Sequence, residues 1–230
     1  MIITVATPGG YSIDLDDIGY ILGNQLSFVM FHHPLRLFSQ TLFKRTGVVC
    51  KTIREADMRL RNKTIGILVG PGYEDLEFWV PHMRMIEEGA RVLVIGIEAD
   101  VAYRSKSGGL VAKSAAAAGT VQADQLDALL VPGGWAPDKL RRSADVLRLV
   151  REMNAQNKII GLICHAGWLA ASAGICKGRR VTGSVGIKDD MQNAGATWVD
   201  EPAFRDGNLV WGRVVEDIPD YCRELLKALS

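Results

Sequence analysis

Three short apolar runs, each stopped by residues that do not continue a strand, set what this chain can fold into. Ile65-Gly66-Ile67-Leu68-Val69 stops at Gly70-Pro71-Gly72. Ala128-Leu129-Leu130-Val131 stops at Pro132-Gly133-Gly134, and Ile159-Ile160-Gly161-Leu162-Ile163 stops at Cys164-His165. Apolar runs of this length without polar alternation are the pattern of strands buried on both faces. Amphipathic helical stretches with short connections separate them, so the expected class is α/β: a mainly parallel sheet covered by helices on both faces. In such a sheet the carboxyl ends of the strands share one edge, and chemistry gathers at that edge.

The intervening segments fit this reading. Asp75–Glu88 is expected as a helix with Leu76, Val80, Met83 and Ile86 on one face, kinked or loosened by Pro81 and stopped by Gly89. Residues 91–97 form a second strand, and Ser107-Gly108-Gly109 marks a hairpin turn. Ser143 caps a helix carrying Val146, Val150 and Met153. Residues 179–213 read as short strands around a short helix at Asp189–Asn193. Asp217 caps the last helix, with Tyr221, Cys222, Leu225, Leu226 and Leu229 facing inward.

The 27 basic and 26 acidic residues are interspersed and give a net charge of +1. That distribution argues against a nucleic-acid partner and against a membrane surface. Cys50, Cys164, Cys176 and Cys222 show neither disulfide-framework nor zinc spacing, so no metal is expected and a reducing cytoplasm is the default location. Residues 1–57 lack the rhythm of the rest and are expected to be an extension: either a subdomain packing Phe28, Phe31, Leu37 and Phe43 on the core, or a poorly ordered segment. His32-His33 reads as an exposed turn. Met58-Arg-Leu-Arg-Asn-Lys opens residues 58–230 as a domain start does, and translation is expected to be able to begin there.

Three strand ends carry residues suited to chemistry. Cys164 stands at a strand-to-helix corner, where helix amides favour a thiolate, and is the candidate nucleophile. Glu74, from Tyr73-Glu74-Asp75-Leu76-Glu77, is the candidate carboxyl to hold the sulfur; to donate to a thiolate it needs a proton, and hence burial. Read alone, Glu74 equally fits a helix N-terminal acid. Gly133 and Gly134 permit close backbone approach, so their amides are candidates to face an oxyanion. His165 is the candidate proton carrier, and Asp138, after Pro137, also suits a first helical turn.

These stretches, with Gly178-Arg179-Arg180, Gly186-Ile187-Lys188-Asp189-Asp190-Met191, Asn193-Ala194-Gly195, Trp198-Val199-Asp200 and Asp206-Gly207-Asn208, make residues 63–229 resemble the PfpI intracellular protease group of the ThiJ/PfpI superfamily. The resemblance implies a flavodoxin-like three-layer sandwich and no cofactor. It implies Cys164 as nucleophile with Glu74 hydrogen-bonded to it, His165 beside it, and Asp138 of a neighbouring subunit completing the set in a dimer or hexamer. It implies an oxyanion site at the amides of Gly134 and His165. Ala166-Gly167 replace the family's usual Gly-Pro, and Ser184-Val185 replace its Tyr-Pro. These four positions and Trp135 are therefore where substrate choice is expected to differ.

Three functions fit: a thiol enzyme acting on peptide or amide carbonyls or, as a glyoxalase or deglycase, on dicarbonyl-derived small molecules; a stress or redox sensor through oxidation of Cys164; and a non-catalytic fold whose partner binding uses residues 1–57.

Overall fold

A computed structural model describes residues 58–230, so the expectations placed on residues 1–57 lie outside the described residues. The main sheet contains β1 (Thr64–Leu68), β2 (Arg91–Gly96), β5 (Ala116–Ala117), β6 (Ala128–Val131), β7 (Ile159–Ile163), β10 (Ala203–Asp206) and β11 (Leu209–Gly212). Two short pairs stand apart from it: β3 (Ala102–Arg104) with β4 (Val111–Lys113), and β8 (Arg180–Val181) with β9 (Thr197–Trp198). The main sheet runs β10-β11-β7-β6-β1-β2-β5, parallel throughout except at β10–β11. Among the described residues the helices are α1 (Asp75–Glu87), α2 (Ala136–Leu140), α3 (Ala144–Ala155), α4 (Gly167–Ala173), α5 (Lys188–Asn193) and α6 (Ile218–Leu229). This is the flavodoxin-like α/β arrangement.

The three apolar runs are the centre of the sheet, in the order β7-β6-β1, and all of β6 and β7 is buried. The registers Ile65↔Ala128 and Ala128↔Ile159 bring the ends of these strands to one edge. Each fully buried Leu or Ile contributes about 1.5–3 kcal/mol over its exposed state, and this stack anchors that edge. The hairpin at residues 107–109 joins the antiparallel β3 and β4, as its glycines indicate.

Three expectations need correction. The apolar stripe Leu76, Val80, Met83 and Ile86 of α1 faces solvent, with Met83 61% exposed; the buried face is Glu77, Phe78, Pro81 and Met85. The helix runs unbroken through Pro81, whose ring removes only the bond to the Glu77 carbonyl. Asp217 sits at the N-terminus of α6 without capping it by its side chain; its carboxylate accepts from Arg213 Nε at 2.9 Å instead.

Candidate active site

The loops after β1, β6 and β7 converge at the carboxyl edge and are stitched by backbone bonds. Trp135 N donates to Gly72 O at 2.7 Å, and Glu74 N donates to Gly133 O at 3.2 Å. Gly134 has φ +73°, and a Cβ there would lie 2.5 Å from Gly72 O and 2.6 Å from Glu74 N. Only glycine suits that position. At Gly133 a Cβ would meet Glu77 Oε2 at 2.6 Å and Cys164 Cβ at 2.9 Å. The Gly-Gly pair is thus the seam through which β6 reaches the thiol.

Cys164 follows β7 directly, with φ +58°, a left-handed conformation in a residue that has a Cβ. The cost is of order 1–3 kcal/mol and is borne where the chain must turn sharply from strand into helix. The turn continues as a 3-10 segment, Cys164–Ala166, into α4. His165 Nδ1 lies 3.1 Å from the sulfur. The amides of Gly134 and His165 face the sulfur and favour its charged form, while burial and the neighbouring Glu77 carboxyl push the thiol well above its ordinary value, the larger effect.

The carboxyl beside Cys164 is Glu77, not Glu74. Glu74 is the N-cap of α1: its Oε2 accepts from Glu77 N at 2.8 Å. Glu77, three residues on, turns into the interior and is 1% exposed. Its Oε2 accepts from Gly133 N at 2.7 Å, and its Oε1 is buried without a hydrogen-bond partner. Burial raises the Glu77 pKa to about 7 against the opposing pull of the Gly133 amide. The thiol interacts with this carboxyl, though no hydrogen bond of ordinary geometry joins Sγ to Oε1. The Gly133 amide is therefore engaged by Glu77 and is not free for an oxyanion, which leaves the amides of Gly134 and His165.

The remaining sequence candidates divide. Trp135 and Trp168 flank His165 with ring centroids 6.4 Å and 5.1 Å away, and both line an open cleft of about 460 Å³ with Pro71, Gly72, Asp138 and Lys139. Ser184 N donates to the Cys164 carbonyl at 3.3 Å, beside the site. Ala166 and Gly167 do not line the cleft. Both are buried, and a Cβ on Gly167 would strike Ile187 Cδ1 at 2.6 Å. Asp138 pairs within its own chain, accepting from Arg142 Nη2 at 2.7 Å, and does not reach His165 in that chain. Trp168 and Lys106 were not foreseen; Trp168 Nε1 donates to Asp190 Oδ2 at 2.7 Å, which fixes its indole over His165. Among the described residues no group of three His, Cys, Asp or Glu side chains could hold a metal ion.

Residues 63–228 match the DJ-1/PfpI family. The chain belongs to the DJ-1/PfpI family. It is 39% identical over 164 residues to a deglycase of Pyrococcus abyssi, covering 71% of this chain and 98% of that relative. It is 37% identical over 158 residues to deglycase PfpI of Pyrococcus furiosus, covering 69% and 94%. A two-domain protein of Anabaena variabilis with DJ-1/ThiJ/PfpI-like and ferritin-like domains superposes with a TM-score of 0.72 at 33% identity, covering 73% of this chain and 48% of that one. Drosophila melanogaster DJ-1beta shares the fold, with a TM-score of 0.68 at 23% identity over 73% of this chain and 90% of its own. The DJ-1/PfpI portion thus coincides with the described α/β unit and contains Glu77, Gly134, Cys164 and His165.

Proposed function

We propose that this DJ-1/PfpI protein is a thiol-based enzyme of the glyoxalase and deglycase type, with Cys164 as nucleophile. The observation that carries the reading is the convergence on one left-handed cysteine of the Glu77 carboxyl and the Gly134 and His165 amides. The deglycase names of relatives at 37–39% identity support the same class.

Cys164 attacks the aldehyde carbon of a dicarbonyl such as methylglyoxal, and the carbonyl oxygen takes the proton, giving a hemithioacetal. Through an enediol, the proton on the former aldehyde carbon then moves to the ketone carbon and the hydroxyl proton moves to the ketone oxygen, leaving a thioester, and water releases a hydroxy acid and restores the thiol. His165, 3.1 Å from the sulfur through Nδ1, carries the protons. The Gly134 and His165 amides meet the developing oxygen charge. A neutral Glu77, its pKa raised to about 7, sets no opposing charge against a thiolate at Cys164. The same groups would serve acyl transfer from a peptide or amide, which is the finer protease reading.

The proposal includes a homo-oligomer in which Asp138 of one subunit completes His165 of the next. The exposed stripe of Leu76, Val80, Met83 and Ile86 on α1 supports an assembly face. It also takes residues 58–230 as the catalytic domain with residues 1–57 as an extension, and places the protein in the cytoplasm, where a working thiol stays reduced. No described helix is long and apolar enough to cross a membrane.

A panel of methylglyoxal, glycated amino acids and peptides, run beside Cys164→Ala, tests the reading. Turnover of a dicarbonyl or glycated compound that disappears in Cys164→Ala is the expected result. Turnover retained in that variant rejects the covalent step, and absent turnover with ready sulfinate formation points to a redox sensor.

A further inference from the structure

Lys106 lies at the tip of the β3–β4 hairpin, outside every role assigned above. Its backbone is held on both sides. Lys106 N donates to Tyr73 O at 2.7 Å, and the next residue, Ser107, donates to Asp75 through N at 3.1 Å and through Oγ at 2.5 Å. Gly72 N donates to Arg104 O at 3.0 Å, tying the base of the hairpin to the β1–α1 loop. The ammonium rests 5.3 Å above the Trp135 ring, and among the described residues no carboxylate lies within ion-pair distance of it. Asp138, the acid lining the cleft, is already paired with Arg142 and Lys139. The position is unusual for a surface lysine: its main chain is fixed, its charge is unanswered, and it stands over the indole that flanks His165.

We propose that Lys106, with the Trp135 indole beneath it, is a specificity-determining cation that recognises a carboxylate on the substrate, close to the carbon that Cys164 attacks. Its field is felt at the reacting groups, since it lowers the pKa of both Glu77 and His165. One ammonium supplies a single positive charge on a flexible stem, which suits a monoanionic carboxylate better than a phosphate dianion. The aromatic face below restricts where the ammonium can sit and leaves its outer protons for the ligand. The inference rests on Cys164 as the reacting group but not on turnover. It narrows the substrate class to carbonyl compounds bearing a neighbouring carboxylate.

The test uses two alkylating agents of nearly equal size, iodoacetate and iodoacetamide. Each forms a carbon–sulfur bond with the Cys164 thiolate and releases iodide, and only the first carries a carboxylate. Second-order rate constants at Cys164 are read by mass spectrometry on the full chain for wild type, Lys106→Met, Lys106→Arg and Lys113→Met. Lys113 lies on the same hairpin and pairs with Asp100, so it controls for loss of one positive charge. The iodoacetate-to-iodoacetamide ratio is expected to fall about 5-fold in Lys106→Met, the size of one charge contact fully screened by water. It should be largely kept in Lys106→Arg and stay within about 2-fold in Lys113→Met. An unchanged ratio in Lys106→Met, or an equal fall in Lys113→Met, overturns the proposal. Failure of the enzymatic reading would appear separately, as absent turnover with the ratio still dependent on Lys106.

Discussion

The Glu77 carboxyl and the Cys164 thiol oppose one another's ionisation: each is buried, and the charge of one disfavours the charge of the other. The pair therefore loses its protons in two macroscopic steps rather than as two independent groups. The first step, near pH 7, leaves a single negative charge held mainly by the carboxylate, with the thiol largely protonated beside it. Alkylation of Cys164 by a neutral reagent is expected to rise through that step in the wild type. In Glu77→Gln no carboxylate charge opposes the thiolate, so reactivity should keep climbing above pH 7, where the wild type levels off. An unaltered profile in Glu77→Gln would show that the carboxyl does not tune the thiol.

The same pair gives a pH dependence of stability. The folded pKa of Glu77, about 7, lies above its unfolded value of 4.5, so the folded protein holds this proton more tightly. Stability from this source is complete below about pH 4.5 and is lost as pH rises to about 7, amounting to roughly 3 kcal/mol. Urea unfolding across that window should show wild type losing stability relative to Glu77→Gln as pH increases. Parallel curves for the two proteins would contradict the assignment.

Glu74 should behave as a cap. Glu74→Ala removes the acceptor for Glu77 N and is expected to cost about 1 kcal/mol in unfolding free energy. The alkylation step near pH 7 should survive. Loss of that step in Glu74→Ala, with Glu77 intact, would restore Glu74 to the thiol.

At the seam, Gly134→Ala puts a Cβ 2.5 Å from Gly72 O in a backbone that already disfavours it. The expected cost is about 3 kcal/mol or more, read by thermal unfolding. Gly133→Ala drives its Cβ into Glu77 Oε2, so it should displace the carboxyl and change the pH dependence of Cys164 alkylation in whatever fraction folds. Normal stability and reactivity in both variants would refute the close approach described here.

Much of this was legible in the sequence because burial on both faces leaves a strand few options. The three apolar runs became the central strands, and their stops became the site. The thiol and the Gly-Gly seam were readable for the same reason, since neither a left-handed turn nor a close backbone approach tolerates many residues. The sequence pointed to Glu74 as the carboxyl and passed over Glu77. The most regular apolar period in α1, Leu76-Val80-Met83, lies on its solvent face, whereas the buried face mixes Phe78, Pro81 and Met85 with an acid. Following Phe78, Pro81 and Met85 would have exposed Glu77 as a charged residue among core positions. Lys106 left no sequence signal, because its place over Trp135 depends on a hairpin clamped from a distant loop.

The left-handed backbone at Cys164 sets two kinds of fitness against each other. The conformation favours glycine, which lacks the thiol, so the residue best suited to the turn is the one that would end the chemistry. A redesign scored on backbone comfort alone would replace Cys164 first and produce a better-tempered but inert protein. The cysteine's persistence at so unfavourable an angle is a cost the fold carries for reactivity.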